Sequence, residues 1–266
     1  MKARPGTALV TGASSGIGYE LTRRLAREGW DLVLVARSAD RLEEIAAPLR
    51  REEGLTVTVI RKDLAQPGAA DEVFDALRAR SIDVRVLVNG AGFGVLGPFA
   101  ETDPAADREM MQLNMVALTD LTRRAVREML PRRDGRILNV ASTAAFQPGP
   151  RMAVYYATKA YVLSFSEAIA SELAGTGVTV STLCPGPTRT AFAARAQMEG
   201  TNLFRSGVMD AAAVAEAGYR GLMNGERVIV PGLRNKLLAA SVPLGPRKLV
   251  TAIVGWLNQD RAASPR

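Results

Sequence analysis

Short runs of apolar and β-branched residues alternate along the chain with longer stretches in which apolar residues recur every three or four positions. The short runs are apolar at successive positions, which is typical of buried strands in a parallel sheet. Seven such runs predict strands at 7–12, 31–37, 56–63, 84–92, 135–142, 178–186 and 227–232. The longer stretches between them predict amphipathic helices.

End signals bound several of these helices. Gly29 follows the first helical stretch as a C-terminal stop, and Ser38 precedes the second as a capping residue. Asp103 and Pro104 open a long helix, as the cap and the first helical residue. Regular alternation of strands and helices implies right-handed crossovers and a sheet that is covered on both faces. We therefore predict an α/β fold: a Rossmann-like, doubly wound parallel sheet of about seven strands with helices on both faces.

The sequence contains no internal repeat, low-complexity tract or linker, which favours a single domain over residues 1–266. Residues 233–266 form an amphipathic C-terminal extension within that domain, with several cations and Trp256. One-sided apolar stretches of this kind pack on the body of the protein, form a subunit interface or lie on a membrane surface. The sequence leaves these three alternatives open.

Composition narrows the chemistry. The chain has no histidine, so proton transfer near neutral pH requires another side chain. The lone Cys184 excludes an intrachain disulfide and favours a reducing compartment. No apolar run approaches the roughly 20 residues of a membrane span, and the N-terminus lacks a signal-peptide pattern, so we expect a cytoplasmic protein. The net charge is +7, but the arginines are scattered along the chain. Because the sequence has no nucleic-acid-binding motif and no cluster of metal ligands, we expect it to bind neither nucleic acid nor a metal ion.

A glycine-rich turn follows the first predicted strand. Gly12, Gly16 and Gly18 lie between that strand and the first helix, in the segment TGASSGIG. Glycines let the backbone approach a pyrophosphate, and the helix N-terminus presents free N–H groups to it. This context predicts a dinucleotide site, whereas the alternative is a tight turn without a ligand.

The end of the second strand bears on the choice of nucleotide. A carboxylate there would bind the ribose 2′-hydroxyl of NAD. The chain has instead the neutral Ala36, followed by Arg37, which can pair with a 2′-phosphate. We therefore predict NADP(H) as the cofactor, with NAD(H) disfavoured; the alternative for Arg37 is an ordinary surface arginine. Asp63 and the glycines of residues 89–92 end the third and fourth strands, where they contact adenosine or simply form caps and turns.

Six motifs, in order, resemble those of the short-chain dehydrogenases/reductases over about residues 5–232. They are TGASSGIG, NGAG at 89–92, Asn114, Ser142, Tyr155 with Lys159, and PGPTRT at 185–190. NGAG departs from the family's N-N-A-G at Gly90. The resemblance implies a catalytic set of Asn114, Ser142, Tyr155 and Lys159. It implies a cofactor site that includes Tyr155 and Lys159 together with Gly12, Ser14, Ser15, Gly16, Ile17, Gly18, Arg37, Asp63, Leu64, Asn89, Gly90, Ala91, Gly92, Pro185, Gly186, Thr188 and Thr190.

Tyr155 and Tyr156 both lie within one helical turn of Lys159, so spacing alone does not choose between them. The family pattern Y-x-x-x-K selects Tyr155, with Tyr156 as a packing residue. A phenol has a pKa of about 10, and a nearby ammonium is expected to lower that pKa and make Tyr155 a usable general acid or base. The resemblance assigns the substrate oxygen to Ser142, the nicotinamide ribose to Lys159 and a bound water to Asn114.

The substrate is less well defined. Residues 191–209 occupy the lid position, and apolar residues near the site predict a small hydrophobic carbonyl or alcohol substrate. These are Phe93, Val95, Phe146, Met152, Phe192, Met198 and Phe204. The alternative function is a cofactor-binding regulatory or scaffolding protein that has lost turnover. The family resemblance and the apolar helices at 104–130 and 152–174 predict a homodimer or homotetramer.

Overall fold

In the computed structural model, residues 4–259 are described, and they contain a seven-stranded sheet in which every strand pair is parallel. The strands are β1 Thr7–Thr11, β2 Asp31–Ala36, β3 Val57–Arg61, β4 Val84–Asn89, β5 Gly135–Val140, β6 Val178–Leu183 and β7 Val228–Ile229. The predicted doubly wound parallel sheet is confirmed, and each predicted strand contains one of these seven.

The strand order β3-β2-β1-β4-β5-β6-β7 reverses direction between β1 and β4. Thr11, the last residue of β1, pairs with Val35 on one side and with Asn89, the last residue of β4, on the other. Chain segments therefore leave β1 and β4 toward opposite faces of the sheet. The crevice opened at such a reversal is where doubly wound folds bind their ligands.

Helices cover both faces. The helices of residues 4–259 are α1 Gly16–Arg27, α2 Ala39–Glu52, α3 Ala69–Arg78, α4 Pro104–Met111, α5 Leu118–Met129, α6 Ala153–Glu172, α7 Ala191–Arg195, α8 Asn202–Arg205, α9 Ala211–Asn224, α10 Leu233–Ser241 and α11 Arg247–Leu257, and six of them pack on the sheet. One buried cluster joins α1, α2 and α9 to one face of the sheet, and another joins α3, α5 and α6 to the opposite face. Alternate strand residues supply the two clusters, because successive side chains of a strand point to opposite faces.

Two predicted helix caps are formed. The Ser38 hydroxyl accepts a hydrogen bond from the backbone N–H of Arg41, with an Oγ–N distance of 3.4 Å. The Asp103 carboxylate accepts from the N–H of Ala105 at 2.8 Å, and Pro104 is the first residue of α4. These contacts satisfy N–H groups that have no partner within the first turn of a helix.

The helix predicted at 104–130 is not continuous. A π-helical segment, Gln112–Ala117, separates α4 from α5, and the buried Asn114 lies within it. Periodicity does not predict this segment, because a single wide turn barely changes the apolar pattern. π-Helical turns inside α-helices are frequent at functional sites.

The predicted C-terminal extension contains α10, a short 3₁₀ turn at Val242–Leu244 and α11. Its last residues, 260–266, lie outside the described part of the chain. Within residues 4–259, none of the helices is both long enough and apolar enough to span a bilayer.

Candidate active site

A cavity of about 400 Å³ lies at the carboxyl ends of the strands. The segments that follow β1 to β6 contribute to its wall, together with the first turns of α6. Nineteen of the predicted site residues line it: Gly12, Ser14, Ser15, Gly16, Ile17, Gly18, Arg37, Asp63, Leu64, Gly90, Ala91, Gly92, Ser142, Tyr155, Lys159, Pro185, Gly186, Thr188 and Thr190. The structure thus brings the predicted nucleotide residues and the predicted chemical residues into one space.

The glycine turn after β1 has the geometry that a phosphate cradle needs. Gly12 and Gly16 have φ angles of +68° and +56°, which favour glycine. A Cβ atom on Gly18 would lie 2.3 Å from the carbonyl oxygen of Gly12, so the helix can begin this close to the strand only with glycine there. Ser15 precedes α1 without a capping hydrogen bond from its side chain, and the first turn of α1 has no acidic residue. These features fit an anionic diphosphate at the N-terminus of α1.

The loop after β6 closes over this turn. A Cβ atom on Gly16 would lie 3.1 Å from the Cβ atom of Thr190, so the threonine side chain rests against the glycine turn. Thr188 forms a bridge with Met209, which ties the loop to the far end of the lid segment. Thr188 and Thr190 therefore reach the same part of the cavity as the glycines.

The mouth of the cavity beyond β2 carries several charged side chains. Arg37 and Lys62 both line it, as does Arg195 of α7. Glu109 of α4 is shared: its Oε1 atom is 3.8 Å from a guanidinium nitrogen of Arg37 and 3.9 Å from one of Arg195. The pKa of Arg195 is lowered by burial and by the nearby charge of Arg37. Lys62 forms an ion pair with Glu72, and Asp63 lies near Arg195, so carboxylates accompany each of these cations.

Not every predicted cofactor residue faces the cavity. The side chain of Asn89 is buried in a polar network, where its amide donates to Thr122 Oγ1 at 3.0 Å and to Asn139 Oδ1 at 2.9 Å. The Asn89 side chain therefore has a structural role at the end of β4, and the cofactor contact of Asn89 stays a prediction. Asp63 does line the cavity, and its carboxylate also accepts from the N–H of Ala65 at 3.0 Å, so the two alternatives for Asp63 are compatible.

Tyr155 lies in the first turn of α6, against an aromatic wall. Its ring centroid is 5.4 Å from that of Phe192, and a Cβ atom on Gly94 would lie 3.1 Å from its Cδ2 atom. The Nζ atom of Lys159 is 5.8 Å from the centroid of the Tyr155 ring and donates to the carbonyl oxygen of Val140 at 2.8 Å. Gly94 was not predicted, although its position after a strand end is typical of a close backbone approach.

Burial dominates the ionisation of these two groups. It raises the pKa of Tyr155 well above the usual range, and a hydrogen bond with Ser142 opposes that rise only in part. The pKa shift predicted for Tyr155 therefore has the wrong sign, because burial disfavours the charged phenolate. Burial also lowers the pKa of Lys159 to about 8. Tyr155 is accordingly a protonated phenol at neutral pH.

The neighbouring Tyr156 has a different environment. Its hydroxyl donates to Oδ1 of Asn258 at 3.3 Å, and the amide of Asn258 donates to the carbonyl oxygen of Pro150 at 3.0 Å. Asn258 directly follows α11, so Tyr156 anchors the C-terminal extension to the body of the protein. Its ring also contributes to the cavity wall.

Asn114 lies behind the cavity wall. Its Oδ1 atom accepts from the N–H of Phe93 at 3.2 Å, and its amide donates to the Phe93 carbonyl at 3.0 Å and to Thr158 Oγ1 at 3.1 Å. A Cβ atom on Gly92 would lie 3.0 Å from Asn114 Oδ1 and 3.5 Å from Lys159 Nζ. The Asn114 side chain thus joins the π-helical segment to the segment after β4 and to α6, beside Lys159.

The apolar end of the cavity differs in part from the prediction. Phe192, Met198 and Phe204 line it, whereas Phe93, Val95, Phe146 and Met152 do not. The apolar residues that the prediction missed include Leu113, Leu203, Val254 and Leu257. Val254 and Leu257 both lie in α11. The one-sided apolar pattern of the C-terminal extension is the sequence feature that favours their packing on the body of the protein.

Residues 6–200 match the short chain dehydrogenase family. A very-long-chain 3-oxoacyl-CoA reductase from Anas platyrhynchos is 32% identical over 67% of this chain, which spans 58% of the length of that protein. A short-chain dehydrogenase from Sphingobium yanoikuyae, solved in complex with NADPH, is 34% identical, with a TM-score of 0.80 over 90% of this chain and 94% of the other. A short chain dehydrogenase/reductase from Burkholderia phymatum, solved with NAD, is 24% identical, with a TM-score of 0.81 over 92% and 96%, and shows the fold alone.

The substitution Lys159→Met tests the burial of the ammonium. Between about pH 8 and the usual lysine value of 10.5, the unfolded chain holds a proton on Lys159 that the folded protein has lost. Wild-type stability therefore rises with pH relative to the variant, on the order of 2–3 kcal/mol across that window. Urea unfolding at about pH 7 and pH 10.5 measures the difference. The exposed Lys248→Met is the control, and a pH-independent difference for Lys159→Met would contradict the assignment.

Proposed function

Because the chain belongs to the short chain dehydrogenase family, we propose that it is an NADP(H)-dependent oxidoreductase that interconverts a ketone and a secondary alcohol. One observation carries the proposal. The phenol of Tyr155, the hydroxyl of Ser142 and the ammonium of Lys159 share a cavity with a glycine turn suited to a diphosphate. A proton donor and a nucleotide cradle in one space suit hydride chemistry on a carbonyl.

The residues present fit a nicotinamide dinucleotide. The glycine turn and Thr190 would hold the diphosphate, Arg37 the 2′-phosphate and Lys159 the nicotinamide ribose. Asp63 and Leu64 would contact the adenine, while the segments at 90–92 and 185–188 would lie against the adenosine and the nicotinamide. When bound, the nicotinamide supplies or accepts the hydride.

Three side chains of the protein can donate the proton and stabilise the negative charge that develops on the carbonyl oxygen. Tyr155 is protonated at neutral pH, so its phenol can donate a proton to a carbonyl oxygen that becomes an alkoxide. The Ser142 hydroxyl lies beside it and can donate a hydrogen bond to the same oxygen. Lys159 carries its charge below a pKa of about 8, and this charge stabilises the phenolate that remains after the transfer. In the oxidative direction, the same phenolate accepts the alcohol proton.

The cavity wall supports a hydrophobic substrate. Phe192, Met198, Leu203, Phe204, Val254 and Leu257 line its apolar end. An apolar wall beside one proton donor favours a ketone that carries hydrocarbon groups. The 3-oxoacyl-CoA reductase from Anas platyrhynchos acts, by its name, on a ketone with a long hydrocarbon chain. For this chain we propose a small hydrophobic carbonyl compound as the substrate, and a cytoplasmic location that suits the free thiol of Cys184.

Tyr155→Phe should reduce turnover by at least ~100-fold, because the general acid is lost, while the affinity for NADPH changes little. The matched control is Tyr156→Phe, which removes only the hydroxyl contact with Asn258 and should retain most of the turnover. Turnover is followed by NADPH absorbance with a panel of hydrophobic ketones. A larger loss in the Tyr156 variant would contradict the assignment of the acid. Absence of turnover with every ketone, despite tight NADPH binding, would favour the alternative of a cofactor-binding regulatory protein.

NADPH should bind at least ~10-fold tighter than NADH, because a charge-assisted contact from Arg37 is worth about 1.5–3 kcal/mol. Glu109 competes for the same guanidinium and keeps the preference from being larger. The double variant Ala36→Asp with Arg37→Gln should reverse the preference, since a carboxylate accepts from a free 2′-hydroxyl and repels a phosphate. Dissociation constants for both cofactors measure this. Arg61→Gln, an exposed change at the end of β3, is the control, and equal wild-type affinities would refute the role of Arg37.

We further propose that two or four copies assemble through the helices on the α5 and α6 face. Met111, Val116 and Leu130 are partly exposed along α4, the π-helical segment and the end of α5, as an interface would require. Light scattering at micromolar concentration should give a dimer or a tetramer, and Val116→Glu should shift the protein toward the monomer. The control is Phe99→Glu, an exposed apolar residue outside these helices. A wild-type protein that is only monomeric would exclude the assembly.

A further inference from the structure

The helix α10 buries none of its side chains within the described part of the chain. Leu233, Leu237 and Leu238 are 74%, 63% and 54% exposed. Polar contacts hold this helix in place: the Asn235 amide donates to the Pro231 carbonyl at 2.9 Å, and Arg234 donates to the Ser206 carbonyl at 2.6 Å. A helix with three exposed leucines and no buried face needs another surface to cover it.

The next helix, α11, is apolar on two sides. Its inner side carries the buried Val254, which reaches the active-site cavity. Its outer side carries Leu249, Ile253 and Trp256, which lie at positions i, i+4 and i+7 and are each at least half exposed. Residues with this spacing form one stripe on a helix. Leu244, in the turn between α10 and α11, is 87% exposed and extends the apolar surface.

The charges on this surface have one sign. Between Glu226 and Asp260 the sequence has no acidic residue, whereas Arg227, Arg234, Lys236, Arg247 and Lys248 are all basic. Among the described residues, no carboxylate forms an ion pair with Lys236, Arg247 or Lys248, whereas Arg4, Arg50, Arg132 and Arg220 each have one.

A shallow depression beside α11 gathers three of the cations near this stripe. Arg151, Arg247 and Lys248 line it together with Trp256 and Gly255. The Nε atom of Arg151 is buried and has no hydrogen-bond partner within residues 4–259. Two arginines and a lysine that line one depression without a carboxylate suit a phosphate group.

We propose that the outer face of α10 and α11 docks on a bilayer of anionic phospholipids. The leucines of α10, Leu244 and the stripe of α11 enter the interface between headgroups and acyl chains, and the basic residues contact lipid phosphates. Apolar side chains with a basic rim match a surface-bound amphipathic segment. Trp256 suits this depth, because its ring is apolar and its N–H is polar. This proposal depends on α10 and α11 and is independent of the proposed reaction.

A second copy of the chain fits this face less well. A two-fold contact places the same patch of both subunits against each other. It would bring the acid-free basic surfaces of two copies together, and like charges in contact are unfavourable. A bilayer of anionic lipids supplies the opposite charge, and the predicted subunit contacts lie on α5 and α6 instead.

Flotation of the full-length protein with lipid vesicles tests the proposal. Vesicles of phosphatidylcholine alone are compared with vesicles of equal parts phosphatidylcholine and phosphatidylglycerol. Partition into the anionic vesicles should be at least ~10-fold stronger and should weaken as salt is added. Arg247→Glu with Lys248→Glu should reduce it at least ~10-fold. Leu249→Ser with Ile253→Ser and Trp256→Ser should reduce it by a similar factor.

The matched control is Arg27→Glu with Arg80→Glu, which changes the net charge equally at two exposed arginines far along the chain from α10 and α11. An equal loss in this control would mean that net charge alone drives binding, and it would overturn the proposal. Light scattering distinguishes membrane docking from a contact between two subunits on the same face. If the serine variant becomes monomeric while its vesicle binding is unchanged, the face is a contact between subunits and the proposal is wrong. Absence of wild-type binding to anionic vesicles would also overturn it.

Discussion

All strands of the sheet run in one direction, so each strand brings the residues that follow it to the same edge. This constraint places the glycine turn after β1, Arg37 after β2, Asp63 after β3 and Ser142 after β5 around one cavity. The reversal of strand order between β1 and β4 opens the space they share. Tyr155 and Lys159 reach this cavity from α6, which packs on one face of the sheet. The lid segment, residues 191–209, lines the apolar end of the cavity.

The site combines features that disfavour its own charges. Burial raises the pKa of the Tyr155 phenol and lowers that of the Lys159 ammonium, so it costs each charged form free energy relative to water. The ammonium keeps one strong contact, with the carbonyl of Val140 at the end of β5. A chain without histidine thereby obtains two groups whose protonation depends on the cavity. Such environments are costly for folding and are typical of functional sites.

The sequence predicted the strands, the glycine turn and the residues at the strand ends because these depend on local pattern and on the edge rule for parallel sheets. It did not predict that Asn89 turns into a buried network with Thr122 and Asn139, since these partners are distant in sequence. The sign of the pKa shift of Tyr155 was also missed, because burial is a property of the packed protein. Val254 and Leu257 reach the cavity through tertiary packing that no local motif encodes.

The π-helical segment also sets the phase of the helix in which it lies. Met110 before it and Leu118 and Leu121 after it are all buried. Each residue of an α-helix advances the side-chain direction by about 100°, and the wider turn at Gln112–Ala117 absorbs part of that rotation. Asn114 lies within this wider turn and from there contacts Phe93 and Thr158. Met110, Leu118 and Leu121 belong to three different buried clusters, so a helix interrupted by one wide turn contributes to three separate parts of the core.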